Sequence, residues 1–152
     1  MSTTVQTQFS VFLINRPGVL SQVFRTLAQA KVNISALSMM DAMEHGVLRL
    51  VCGDAAQARQ VLRKLEVPFT ETDVLAVEMP NRAGAAADVC ERLGQARIVI
   101  NYMYCSTGGA RSGKTIGIFK VANVARAQKA ISSKRRTSRD MKVKLRQPVK
   151  RR

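Results

Sequence analysis

The most chemically suggestive stretch of the chain is residues 108–115, G-G-A-R-S-G-K-T, which fits the phosphate-loop pattern G-x-x-x-x-G-K-[ST] at Gly108, Gly113, Lys114 and Thr115. In a working phosphate loop, backbone amides and a following helix N-terminus cradle the phosphates while the lysine neutralises them. That chemistry needs a buried strand before the loop and a helix after it. Ile98-Val99-Ile100-Asn101-Tyr102 suits the strand. Ile116-Gly117-Ile118-Phe119-Lys120-Val121 does not suit the helix, because it is β-branched and alternates at period two. The segment therefore reads as a lengthened, glycine-rich β-hairpin loop without a nucleotide site. A lesser role, in which Arg111 and Lys114 touch an anion or a partner, stays open.

Other reactive residues form no set. His45 is the sole histidine and falls in an expected turn, Glu44-His45-Gly46, without a positioned partner for general-base work. Acids are scattered singly. Cys52, Cys90 and Cys105 form no C-x-x-C pair and no zinc pattern, and their apolar contexts predict buried small side chains. The chain reads as a non-enzyme, with no cofactor and no metal.

The 152 residues are 46% hydrophobic, enough for a core, and 5% aromatic with no Trp, so the core is aliphatic. No charged leader precedes Arg16, and Val11-Phe12-Leu13-Ile14 is too short to span a bilayer. With the scattered cysteines, this predicts a cytoplasmic chain without membrane association. The net charge is +15, and residues 134–152 hold ten Lys/Arg against the single acid Asp140.

The chain repeats. Asn15-Arg16-Pro17-Gly18 recurs as Asn81-Arg82-Ala83-Gly84, 66 positions on, and Val32-Asn33-Ile34-Ser35 meets Ile98-Val99-Ile100-Asn101 at the same offset. Gly46–Val51 meets Thr115–Lys120 at an offset of 69, so three residues are inserted within the 108–114 segment. Each copy has one grammar. Phe9–Ile14 is a strand buried on both faces, and Leu20, Val23, Phe24 and Leu27 mark a helix face. Ile34–Met43 and Gly46–Cys52 are strands. Asp54 caps a second helix, and Val67-Pro68-Phe69 begins a short fourth strand. In the second copy, strand Val74–Met79 precedes helix Gly84–Leu93. Strands Arg97–Cys105 and Thr115–Val121 follow, then a helix capped by Asn123, and alternating Met141–Arg146 closes the unit as an edge strand. The fold class is α+β: two ferredoxin-like β-α-β-β-α-β units in tandem, with antiparallel sheets and helices on one face. The expected boundaries are 5–73, 74–147 and a basic tail at 148–152.

An N-R-P-G turn after strand one of such a unit resembles the ACT domain. The likeness is carried by Leu13-Ile14-Asn15-Arg16-Pro17-Gly18-Val19-Leu20 across Phe9–Phe69. A more divergent copy spans Val74 to about Leu145, so the resemblance covers nearly the whole chain. It implies a non-enzymatic sensor that binds a free amino acid at domain interfaces and modulates a metabolic enzyme or another partner. It also implies homodimer formation through sheet or helix pairing. The implied ligand loops are Asn15, Arg16, Pro17, Gly18, Val19 and Leu20, and Asn81, Arg82 and Gly84 followed by Ala85 and Ala86. The neighbouring strand-two starts are Asn33, Ile34 and Ser35, and Val99, Ile100 and Asn101. Free helix-end amides suit a carboxylate, a glycine admits close approach, and an Asn carbonyl suits an ammonium group. Asn15 serves equally well as a plain helix cap. The alternative function is nucleic-acid binding, or docking to an acidic partner, through the basic C-terminal segment.

Overall fold

The computed structural model describes residues 1–40, 45–107 and 113–133. The first copy runs β1 (Ser2–Ile14), α1 (Val19–Gln29), β2 (Ile34–Met40), β3 (His45–Cys52) and α2 (Ala55–Lys64). The second runs β4 (Phe69–Pro80), α3 (Ala85–Gln95), β5 (Ile100–Thr107), β6 (Lys114–Val121) and α4 (Val124–Ser132). All pairing is antiparallel within one six-stranded sheet of order β2-β3-β1-β4-β6-β5.

The repeat extends to the register. Phe9 faces Leu50 across β1 and β3, and Leu75 faces Phe119 across β4 and β6. Even the irregularity repeats: β2 slips against β3 between Ile34 and Ala36, and β5 slips against β6 between Ile100 and Tyr102. Helix ends match as well. Gly18 and Gly84 cap α1 and α3 in the left-handed region, at φ 89° and 83°. Asp54 and Asn123 cap α2 and α4 by accepting from Gln57 and Arg126 amides, both at 2.9 Å, as the sequence predicts.

Several boundaries differ from expectation. The short strand expected to begin at Val67-Pro68-Phe69 and the strand Val74–Met79 are one continuous β4, which starts at Phe69. β1 starts at Ser2, seven residues earlier than its apolar run, because threonines and glutamines also fit a paired strand. Its C-terminal half is not buried on both faces: Phe12 and Ile14 are 40% and 50% exposed. His45 does not sit in a turn but opens β3 opposite Ile14. Residues 41–44, 108–112 and 134–152 lie outside the described residues, and with them the expected strand Met141–Arg146. The place beside β4 that such a strand would fill in the second unit is held by Ser2–Gln6 of β1, paired with Glu78–Val74.

Among the described residues the four helices cover one face of the sheet. Phe9, Val11, Leu13, Leu48 and Leu50 meet α1 and α2 through Val23, Leu27, Val61 and Leu62. Leu75, Val77, Phe119 and Val121 meet α3 and α4 through Val89, Leu93, Ala127 and Ile131. Each of these side chains larger than alanine stabilises by roughly 1.5–3 kcal/mol when fully buried. The helix-free face is not left to water. The sheet coils until its edge strands β2 and β5 approach each other, burying Ala36, Val51, Val74, Ala76 and Ile118 between the halves. Gln8, fully buried there, donates to Tyr102 Oη at 2.7 Å and accepts from Tyr104 Oη at 3.0 Å. The Arg49 guanidinium stacks 3.9 Å above the Tyr102 ring. Burial, and secondarily the neighbouring Tyr102, raises the Tyr104 hydroxyl above its usual range, so it remains a donor to Gln8.

Candidate functional site

The strand-to-helix loops of the two repeats have nearly identical backbones. In the first, Arg16 N donates to Ile14 O at 2.9 Å, Val19 N to Arg16 O at 3.4 Å and Gln22 N to Gly18 O at 2.9 Å. In the second, Arg82 N donates to Pro80 O at 2.9 Å, Ala85 N to Arg82 O at 3.2 Å and Asp88 N to Gly84 O at 2.9 Å. The amides of Leu20 and Ser21, and of Ala86 and Ala87, fall between these bonds. No side chain caps either helix, so these donors are available to a bound group. Asn15 therefore does not cap α1. The cap is Gly18, three residues later, because the turn needs a left-handed residue there. Asn15, Arg16, Pro17 and Gly18 are exposed, and Val19 and Leu20 turn their side chains into the first core.

Side chains distinguish the loops. A methyl group at Gly18 would meet nothing within 4 Å, whereas one at Gly84 would meet Arg82 Nη1 at 3.5 Å. Arg82 is folded back: it donates to Asp88 Oδ2 at 2.6 Å and to the Ala83 carbonyl at 3.0 Å. Asn81 N is tied to Gly113 O at 2.9 Å. The first turn of α1 has no acid, while that of α3 has Asp88.

The strand-two starts do not join the loop of their own repeat. Ile34 lies opposite Cys52, while the first loop follows Ile14 opposite His45, at the other end of β3. Ile100 lies opposite Val121, while the second loop leaves β4 beside Lys114. Asn33 gives its carbonyl to Gly53 N at 2.9 Å. Asn33 and Asn101 are exposed, Ile34, Ser35 and Ile100 are half-buried, and Val99 is 74% exposed. Any site combining loop and strand start draws them from different repeats or different chains.

The phosphate-loop lookalike has a strand where a helix is required, since β6 begins at Lys114. Lys114 Nζ is paired with Glu78 Oε1 at 2.8 Å. Another concavity, an open groove of about 570 Å³ between β4 and the start of α4, is lined by Thr7, Glu71, Thr72, Asp73, Lys120 and Asn123. Its Lys120 and Glu71 are already engaged. Lys120 donates to Thr72 Oγ1 at 2.6 Å, and Arg59 grips Glu71 through two 2.6 Å bonds that hold its carboxyl below the usual range. The cysteines are not uniformly buried. Cys52 is buried, which pushes its thiol up to about 11. Cys90 is half-buried and Cys105 is exposed, because β5 is an edge strand. Among the described residues no three His, Cys, Asp or Glu converge on a metal position, and no helix is long and apolar enough to cross a membrane.

Residues 3–142 match the family model described as an ACT domain pair. A protein of Bacteroides thetaiotaomicron with a crystal structure is 29% identical, with 85% of this chain and 88% of that one covered at a TM-score of 0.76. The ligand-free regulatory subunit of aspartate kinase from Thermus thermophilus is similar in fold, at 12% identity and TM-score 0.61 over 86% of this chain and 95% of that one. The corresponding Thermus flavus subunit is 16% identical at TM-score 0.57, with the same coverage. No curated protein matches. With the family match over nearly its whole length, and the repeat visible down to the strand register, the chain belongs to the ACT domain pair family.

Proposed function

We propose that the protein is a non-enzymatic sensor that binds a free amino acid and passes its presence to a metabolic enzyme or another partner. The observation that carries this proposal is the first loop, in a chain of the ACT domain pair family. The α1 end offers uncapped amides, the space beside Gly18 is open, and no acid stands in the first turn. A ligand carboxylate there gains from the amides and from the helix dipole. Asn15 then supplies an acceptor for the ammonium group. A strand-two start, such as Asn33–Ser35 or Val99–Asn101, completes the site from the neighbouring repeat or from a second copy. A homodimer joined through sheet edges or helices provides that neighbour. The likeness in fold to regulatory subunits of aspartate kinase supports a regulatory role.

The test is a thermal-shift screen against the twenty amino acids at millimolar concentration. A ligand at a hundred times its Kd adds about 2.7 kcal/mol, several degrees for a chain of this size. If no amino acid moves the melt while the oligomer stays intact, the sensor role fails. A shift with mixed oligonucleotides that collapses as salt rises would then favour the basic segment as the working part.

A further inference from the structure

We infer that Asp88 and Arg82 close the second loop to the amino acid, so that each chain takes its ligand at the first loop alone. This inference rests on the function proposed above and identifies the residues that set where the ligand goes. The two loops have the same glycine geometry and equivalent backbone hydrogen bonds, so the backbone does not choose between them. The difference in charge between them stands four residues beyond each capping glycine: Gln22 in the first repeat, Asp88 in the second.

Asp88 brings a carboxylate of the chain itself to the positive end of α3, where it already satisfies the helix dipole. A ligand carboxylate arriving there finds the dipole, and the Arg82 charge, already neutralised by Asp88. The Asp88 carboxylate also draws Arg82 across the loop through the 2.6 Å bond, and the guanidinium then lies over the side of Gly84 that is open at Gly18. The second loop is thus excluded twice, by charge and by occupied space. In the first loop the equivalent residue, Gln22, is neutral, so the first turn of α1 carries no acid.

The experiment is isothermal titration of the full chain with the amino acid giving the largest shift in the screen. It compares the unaltered protein with Asp88→Gln, which copies Gln22, and with Gln22→Asp, which copies Asp88. The Arg82–Asp88 pair is partly exposed, and circular dichroism checks that each variant folds. One ligand per chain is expected for the unaltered protein and two for Asp88→Gln, with affinity reduced at least tenfold in Gln22→Asp. Two equivalent sites in the unaltered protein overturn the inference, as does a stoichiometry unmoved by Asp88→Gln. Those outcomes leave the sensor role standing. Absence of binding in the unaltered protein removes both.

Discussion

Beside the C-terminal half of β1 lies Phe69–Thr72, the strand the first repeat makes for itself. Beside Val74–Glu78 lies Ser2–Gln6, which comes from the opposite end of the repeat pair. β1 and β4 each serve both units, and the chain is therefore not two beads on a string. The first repeat is closed by residues that follow its second helix; the second is closed by residues that precede everything else. Even α4, at the end of the second repeat, reaches back to that strand: Gln128 Nε2 donates to the Thr3 carbonyl at 3.2 Å.

The sharpest way to break this comparison is to remove residues 2–6. The lost hydrogen bonds are worth about 1 kcal/mol each, and the exposed edge of β4 adds to the cost. The expected result is a loss of several kcal/mol in denaturant unfolding. Hydrogen exchange should accelerate more in Val74–Glu78 and α4 than in α1 and α2. A truncated chain that unfolds at the same midpoint would mean that Ser2–Gln6 contributes nothing to the second unit.

Much of this architecture is legible in the sequence because a repeat supplies two readings of one pattern. The 66-residue and 69-residue offsets mark which residues must face each other, and the strands obey them. The shared strand was not legible. Thr3, Thr4, Gln6 and Thr7 show no apolar alternation, and their role depends on pairing with residues some seventy positions away. Alternating Met141–Arg146 carries the stronger local strand signal, yet the slot beside β4 is already held. The glycine cap was missed for a related reason. Asn15 has the commoner capping side chain, but Pro17 and the left-handed Gly18 shift the helix start downstream. Among the candidate site residues, both loops were legible from the repeat. The Arg82–Asp88 contact was not, since a pairing six residues apart across a turn has no periodic signature.

A subtler contrast lies inside the two cores. Leu48 and Leu50 of β3 correspond to Gly117 and Phe119 of β6, so the second repeat gathers volume into one ring and leaves a glycine beside it. A methyl group at Gly117 would stand 2.7 Å from Phe119 Cε2 and 2.5 Å from Met79 Cε. The methionine end can swing away; the fully buried ring cannot. Gly117→Ala is expected to destabilise by about 1–3 kcal/mol as an overpacked core. Phe119→Leu in the same chain should recover part of that loss by making room. Chemical denaturation of the single and double variants decides it, and a Gly117→Ala protein as stable as its parent would show that the ring is not seated against the glycine.

The smallest effect sharpens the comparison at the helix starts. α1 begins at a glycine cap with no side-chain bond, and α2 begins at Asp54, whose carboxylate accepts from Gln57 N. Asp54→Ala should cost about 1 kcal/mol, the usual worth of such a cap. Asn15→Ala should cost almost nothing, because Asn15 is exposed and caps no helix. Its value is as a probe of function. An Asn15→Ala chain that folds and melts like the parent, yet responds more weakly to the amino acid found in the screen, places the side chain at the ligand. If instead the substitution lowers stability by as much as Asp54→Ala, Asn15 supports the loop itself. If stability and ligand response are both unchanged, the ammonium group is held by another residue, and the strand-two start of the neighbour becomes the next place to substitute.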